Sequence, residues 1–180
     1  MKNRVGDTQE EICAQIGVHL LLIQDFEHLL TFALRVGLRE RSEITIDSLT
    51  EEDRRTMGTF MRDLRRDASL RDDLDQLLKQ VLDDRNLFVH RLRQQPWFDT
   101  HTSEGRDQIW KWFEQAQPRL HEAILIFTAF AFDIVQRSGF PEDISKLPWQ
   151  GDFYREVAER YMPRVGQMIA RKHRQGHPSQ

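Results

Sequence analysis

The sequence predicts an all-α fold: an antiparallel bundle of four to five long helices, with one more helix added at the C-terminus. Three observations carry this. Apolar residues recur at three- and four-residue spacing through most of the chain, and Gly37, Pro96, Gly139 and the Pro/Gly-punctuated stretch 140–151 separate the periodic stretches. The one β-branched cluster, Ile44-Thr45-Ile46, is too short to found a sheet and reads as part of a connection. With 180 residues the chain is long enough for a real core and fits one domain. The bundle is expected over residues 1–139. Residues 140–180 then supply a linker, an amphipathic helix and a basic tail, packed on or extending the same domain.

The first helix is expected over 8–36, with Thr8 as its cap and Gly37 as its stop. Ile12, Ile16, Leu20, Ile23, Phe26, Leu30 and Leu34 form its buried stripe. Leu21, Leu22, Leu29 and Phe32 widen that stripe, so more than one face should be covered, by a bundle neighbour and by a second subunit. Residues 38–49 read as a connection. Thr50 then caps a second helix running to about Arg66, with Glu51, Glu52 and Asp53 in an acidic first turn that suits the helix dipole. Met57, Phe60, Met61 and Leu64 face inward. Arg54, Arg55, Arg62, Arg65 and Arg66 make a basic outer face that Asp63 and Asp67 dilute. Such faces are usually solvated surface, though this one could also hold phosphates.

Residues 69–95 follow, SLRDDLDQLLKQVLDDRNLFVHRLRQQ, with Ser69 and Asp72 spaced as a helix start. Leu74, Leu77, Leu78, Val81, Leu82, Phe88, Val89 and Leu92 fall in one stripe. At about 100° per residue, Arg85 lies roughly 20° from Leu74, in the middle of that stripe. A guanidinium there demands an anionic or hydrogen-bonding partner. Asn86 and His90, one turn apart, sit on the flank with Lys79 and Arg93, and Asp83 and Asp84 lie near.

After Pro96, Thr102 or Ser103 caps a helix carrying Ile109, Trp110, Trp112, Phe113 and Ala116, with a kink or break expected at Pro118. The pattern resumes through Leu120, Ile124, Leu125, Phe127, Phe130, Ala131, Ile134 and Val135 to a stop near Gly139. Its aromatics keep helical spacing among aliphatics, which argues for packing on the first helix over base stacking. A Pro/Gly-punctuated linker covers 140–151. A last helix over 152–171 follows, with Phe153, Val157, Tyr161, Val165, Met168 and Ile169 on one face, and Pro163 kinks or divides it.

Arg85-Asn86-Leu87-Phe88-Val89-His90 reads R-N-x-x-x-H and resembles the R-x(4–6)-H signature of the HEPN superfamily. Its context strengthens the resemblance. The motif lies late on a long amphipathic helix, Asn directly follows Arg, and other long helices flank it over about residues 9–137. The resemblance implies an all-α bundle and, for many members, a metal-independent endoribonuclease acting as a toxin or defence effector. By carry-over, His90 is general acid or base, Arg85 grips the phosphate and stabilises its charge, and Asn86 orients His90 or the substrate. One helix supplies one Arg and one His, and the family meets that shortage by dimerising, with two motifs across a shared cleft. Lys79, Arg91 and Arg93 of both subunits would line that cleft as RNA contacts. The expected products are a 2′,3′-cyclic phosphate and a 5′-hydroxyl. An antitoxin or defence-system protein is an expected partner. The chain departs from one branch of the family, whose toxins carry a tyrosine shortly after the histidine that a partner nucleotidyltransferase modifies. Here Arg91, Leu92 and Arg93 follow His90, and the tyrosines are Tyr154 and Tyr161.

Composition narrows the alternatives. A net charge of −3 excludes a generally basic nucleic-acid coat, so an RNA site must be a local patch. A lone Cys13 excludes an internal disulfide and fits a reducing cytosol. The polar start MKNRVGDTQEE lacks a signal-peptide core, and the apolar run 123–135, ending near Asp133, is too short to span a bilayer. A cytoplasmic protein with no membrane partner is expected. No cofactor or metal is expected either: there is no phosphate-cradling Gly loop, Asp72, Asp73, Asp75, Asp83 and Asp84 scatter around their helix, and His19 and His28 are too far apart to share an ion. The rival to the enzyme is a non-catalytic HEPN-like module that binds a partner protein or nucleotide, with Arg85 held in a structural hydrogen-bond network.

Overall fold

The computed structural model describes residues 8–34, 57–137 and 152–171. Within them the protein is mostly helical, with six α-helices and one two-stranded sheet. The chain divides into two compact units, residues 1–28 with 76–124 and residues 29–75 with 125–180. Expectations at Val36, Gly37, 38–49, the Thr50 cap, Gly139, the linker 140–151 and the tail beyond Arg171 lie outside the described residues.

In the first unit, α1 (Gln9–Phe32) starts as its sequence requires. The Thr8 hydroxyl accepts from the Glu11 N–H at 3.2 Å, and the Glu11 carboxylate accepts from the Thr8 N–H at 3.1 Å. This reciprocal box satisfies two donors that the first turn would otherwise leave unpaired. Ile12, Ile23 and Phe26 are buried as expected. Leu20 is not: it is 43% exposed and Leu21 61%, while His19 is 1% exposed. The buried stripe therefore passes through the imidazole, one position from where the pattern of large apolar residues puts it.

The motif helix, α3, spans Asp72–Arg91. It follows α2 (Met57–Asp67) and the short strand β1 (Ala68–Leu70), both of the second unit. Its first turn carries Asp72, Asp73 and Asp75 and its last Arg91, each sign matched to its end of the helix dipole. A 3₁₀ turn, Leu92–Gln94, closes it. Leu78, Val81, Phe88 and Leu92 are buried, whereas Val89, expected in the stripe, is 42% exposed.

The connection to α4 (Ser103–Arg137) is ordered by Asp99, whose carboxylate accepts from the His101 N–H at 2.8 Å and the Thr102 hydroxyl at 3.0 Å. These bonds, the His101 one foremost, hold the Asp99 carboxyl below the usual range. The Thr102 hydroxyl in turn accepts from the Gly105 N–H at 3.2 Å, so Thr102 is the cap. Pro118 lies inside α4 and does not break it. It sits on an exposed face, as does Glu114, whose carbonyl loses its helical partner, so water can take the freed bond.

In the second unit, Met57, Phe60, Met61 and Leu64 of α2 are buried as expected. Arg65 pairs with Asp75 at 2.6 Å, and Arg66 with Asp63 at 3.0 Å and Asp67 at 2.8 Å. Of the described arginines of this face, Arg65 and Arg66 are thus paired with carboxylates. Of the two outcomes expected at Pro163, a kink or a division, the segment 152–171 shows the division, and its last three residues are a strand where helix was expected. α5 (Asp152–Glu156) widens into a π-type turn, Val157–Tyr161, whose last carbonyl bond runs from the Met162 N–H to Val157 at 3.0 Å. A turn containing Pro163 then divides the segment before α6 (Val165–Met168). The chain continues as β2 (Ile169–Arg171), antiparallel to β1, with Ser69 opposite Ala170. Ser69 is therefore a strand residue, and α3 begins three residues after it. Among the described residues, no helix is long and apolar enough to cross a membrane.

Candidate functional site

Two contacts set α3 against α1 in the first unit. Phe88 meets the His19 ring edge-on at 4.7 Å between centroids, and Arg85 reaches Glu27. The later α1 residue meets the earlier α3 residue, so the helices run in opposite directions where they touch. Trp112 and Phe113 of α4 close the other sides of His19 at 5.2 and 5.3 Å, and Trp112 stacks on Phe88 at 5.8 Å. The α4 aromatics thus pack against α1, as their spacing among aliphatics requires. Burial in this aromatic box lowers the His19 pKa to about 4, because a charged ring would lose its hydration. Its Nδ1 is buried with no hydrogen-bond partner among the described residues.

On this base the motif side chains converge. Arg85 is 18% exposed and lies on the apolar side of α3, as its place in the stripe requires. Its Nε donates to Glu27 Oε1 at 3.1 Å, and Nη2 lies 3.0 Å from the same oxygen as an ion pair. Its Nη1 donates to Asn86 Oδ1 at 3.3 Å and lies 3.1 Å from His90 Nε2. A guanidinium has no acceptor, so this last contact is a hydrogen bond only when His90 offers a lone pair at Nε2. The ring is then neutral and carries its proton on Nδ1.

The structure thus brings Arg85, Asn86 and His90 together, with His90 exposed at the end of the cluster. Lys79, Arg91 and Arg93 are exposed and make no hydrogen bond to the cluster. Lys79 stands eleven residues before His90 on the helix, roughly 16 Å along its axis. Among the described residues of one chain, then, the Arg–Asn–His trio is the part of the expected set that converges.

Two partners escape the sequence reading. One is Glu27, the counter-charge of Arg85. The other is Arg119 of α4, which donates to Asp84 Oδ2 at 2.8 Å beside the motif. Burial pushes the Asp84 carboxyl up and Arg119 opposes it, with burial the larger effect. Glu27 had a signal: it lies on the α1 stripe four residues after Ile23 and three before Leu30, a charge among apolar positions as Arg85 is on its own helix. Among the described residues, no group of three or more His, Cys, Asp and Glu side chains is placed to hold a metal ion. No protein-family model, curated protein or solved structure matches this chain.

Proposed function

We propose that the chain is a HEPN-type, metal-independent endoribonuclease working as a homodimer in the cytoplasm, as a toxin or phage-defence effector. The observation that carries this reading is the convergence of Arg85 Nη1 on Asn86 Oδ1 and His90 Nε2, 3.3 and 3.1 Å away, at the exposed end of an otherwise buried stripe. In the proposed reaction the ribose 2′-oxygen attacks phosphorus while an imidazole takes its proton. The bond from phosphorus to the 5′-oxygen breaks, and that oxygen receives a proton from a second acid. The products are the cyclic phosphate and the 5′-hydroxyl. Arg85 binds the non-bridging oxygens as their charge grows, and Asn86 keeps the guanidinium and imidazole aligned.

One motif supplies one imidazole, so the second proton transfer falls to His90 of another copy. Exposed Val18, Leu20 and Leu21 on α1 and Val89 beside His90 support such a pairing, since they are apolar surface without a described neighbour to cover it. Lys79, Arg91 and Arg93 would then hold flanking phosphates.

The rival reading, a non-catalytic module that binds a partner protein or nucleotide, has its own observation: the Glu27 ion pair gives Arg85 a structural role needing no substrate. Gel analysis of total RNA incubated with the purified protein in EDTA separates the two. The nuclease reading expects cleavage by the wild type, and its loss in both Arg85→Ala and His90→Ala with both variants folded and dimeric. No cleavage, or cleavage indifferent to both changes, favours the module.

A further inference from the structure

Arg85 has five N–H donors, and three are committed in the structure: Nε to Glu27, and the two of Nη1 to Asn86 and His90, while Nη2 forms an ion pair with the same Glu27 oxygen at 3.0 Å. The commitments are not equivalent. Asn86 and His90 ride on the same helix as Arg85 and move with it. Glu27 belongs to α1, fifty-eight residues away in sequence, and among the described residues is the one partner of Arg85 outside α3. Because Nε and Nη2 both meet a single carboxylate oxygen, the fork cannot turn about its long stem without losing the Nε hydrogen bond and the close ion pair. With that edge held, the opposite edge, Nη1, has one direction left, and it faces His90.

We infer that Glu27 is a positioning residue of the Arg85–His90 site. Its carboxylate fixes the guanidinium, and the fixed guanidinium holds His90 as the neutral tautomer with the lone pair on Nε2 and the proton on Nδ1. The inference rests on the nuclease reading for its use but not for its truth. Its chemical sense is that the atom nearest Arg85 is already unprotonated. A phosphate oxygen that takes over the Nη1 hydrogens leaves that lone pair open beside the bound phosphate, where a ribose hydroxyl needs it. Phosphate binding and exposure of the base are one event. Glu27 touches no reacting atom in this scheme and acts only through Arg85.

The test is a long-range proton–nitrogen correlation spectrum of the full chain, ring-labelled at histidine and recorded at alkaline pH. The His90 signals are assigned by their loss in His90→Gln. Wild-type His90 should show an unprotonated, pyridine-type Nε2 and a protonated, pyrrole-type Nδ1. Glu27→Ala should reverse the two, because imidazole in water favours a proton on Nε2. Glu27→Gln keeps an acceptor oxygen and should keep the wild-type pattern. A protonated Nε2 in the wild type, or an unchanged pattern in Glu27→Ala, overturns the inference. If Glu27→Ala fails to fold, Arg85→Lys decides instead, since an ammonium keeps the charge without the fork and should also release the tautomer. RNA cleavage is read on the same samples. Its absence in the wild type counts against the nuclease reading only, because the tautomer is measured without substrate.

Discussion

The aromatic box around His19 makes a quantitative prediction about acid stability. The ring is buried against Phe88, Trp112 and Phe113, and its pKa falls from an ordinary 6.5 to about 4. The sign follows from proton counting. Between those values the unfolded chain binds a proton at this residue and the folded chain does not. Stability is therefore full above about pH 6.5 and is lost as pH falls toward 4. The whole shift corresponds to about 3 kcal/mol at about 1.4 kcal/mol per unit. Between pH 7.5 and 4.5 the expected loss from this one group is about 2.5 kcal/mol. Other shifted carboxylates act elsewhere. Asp73, held down chiefly by its bond from Arg71, and Asp99 lose their contributions only below their ordinary 3.8. Asp84, raised by burial, works in the opposite direction. The perturbation is His19→Phe, which keeps a ring for the edge contacts and removes the titration. Urea unfolding followed by tryptophan fluorescence and circular dichroism at pH 7.5, 6.5, 5.5 and 4.5 gives the comparison. The wild type should lose stability across the series and the variant should stay nearly flat, so that the two curves separate by about 2.5 kcal/mol at the acid end. Parallel curves would refute the reasoning, because they would mean that His19 is as easily protonated folded as unfolded.

Three further outcomes follow from particular contacts. Arg119→Met should destabilise by about 1–3 kcal/mol at neutral pH by leaving the half-buried Asp84 without its partner, and the deficit should shrink in acid as that carboxyl protonates. Chemical denaturation at two pH values checks this. Glu at both Leu20 and Leu21, which are exposed, should leave helicity and unfolding midpoint nearly unchanged while lowering the mass read by light scattering from that of the proposed dimer to that of a monomer; an unaltered mass would refute a dimer built on this face. Gly105→Ala should cost several kcal/mol in thermal unfolding, since a Cβ there runs into the backbone carbonyl of Asp99 and comes within 2.7 Å of its Cβ.

What the sequence disclosed and what it hid have physical reasons. The helices were legible because burial on a helix imposes a 3.6-residue period, and the Thr8 and Thr102 caps because a hydroxyl before an acidic turn satisfies known donors. Ser69 misleads for a related reason. A capping residue has extended backbone, and so has a strand residue, so its identity does not say whether its neighbour is a helix turn or another strand. That other strand, Ile169–Arg171, lies about a hundred residues on, and three residues are too few to show a period of two. The slip from Leu20 to His19 has a similar origin, since a stripe drawn through the largest aliphatic residues passes over a neutral imidazole that fits an aromatic box.

The Glu27–Arg85 pair shows how further information can be drawn from the same pattern. Each residue interrupts an apolar stripe, and each alone reads as an anomaly that a long side chain can resolve by reaching water. Taken together they are opposite charges on facing sides of two helices that the stripes already require to pack. A charge half-removed from water must meet its complement, so the two interruptions predict one another and fix which turn of α1 lies against which turn of α3. Replacing both Glu27 and Arg85 by leucine should then cost less stability than replacing Glu27 alone, because only the single change strands a cation. The double replacement would still abolish the hydrogen bond to His90, and so would separate what the pair does for the fold from what it does for the imidazole.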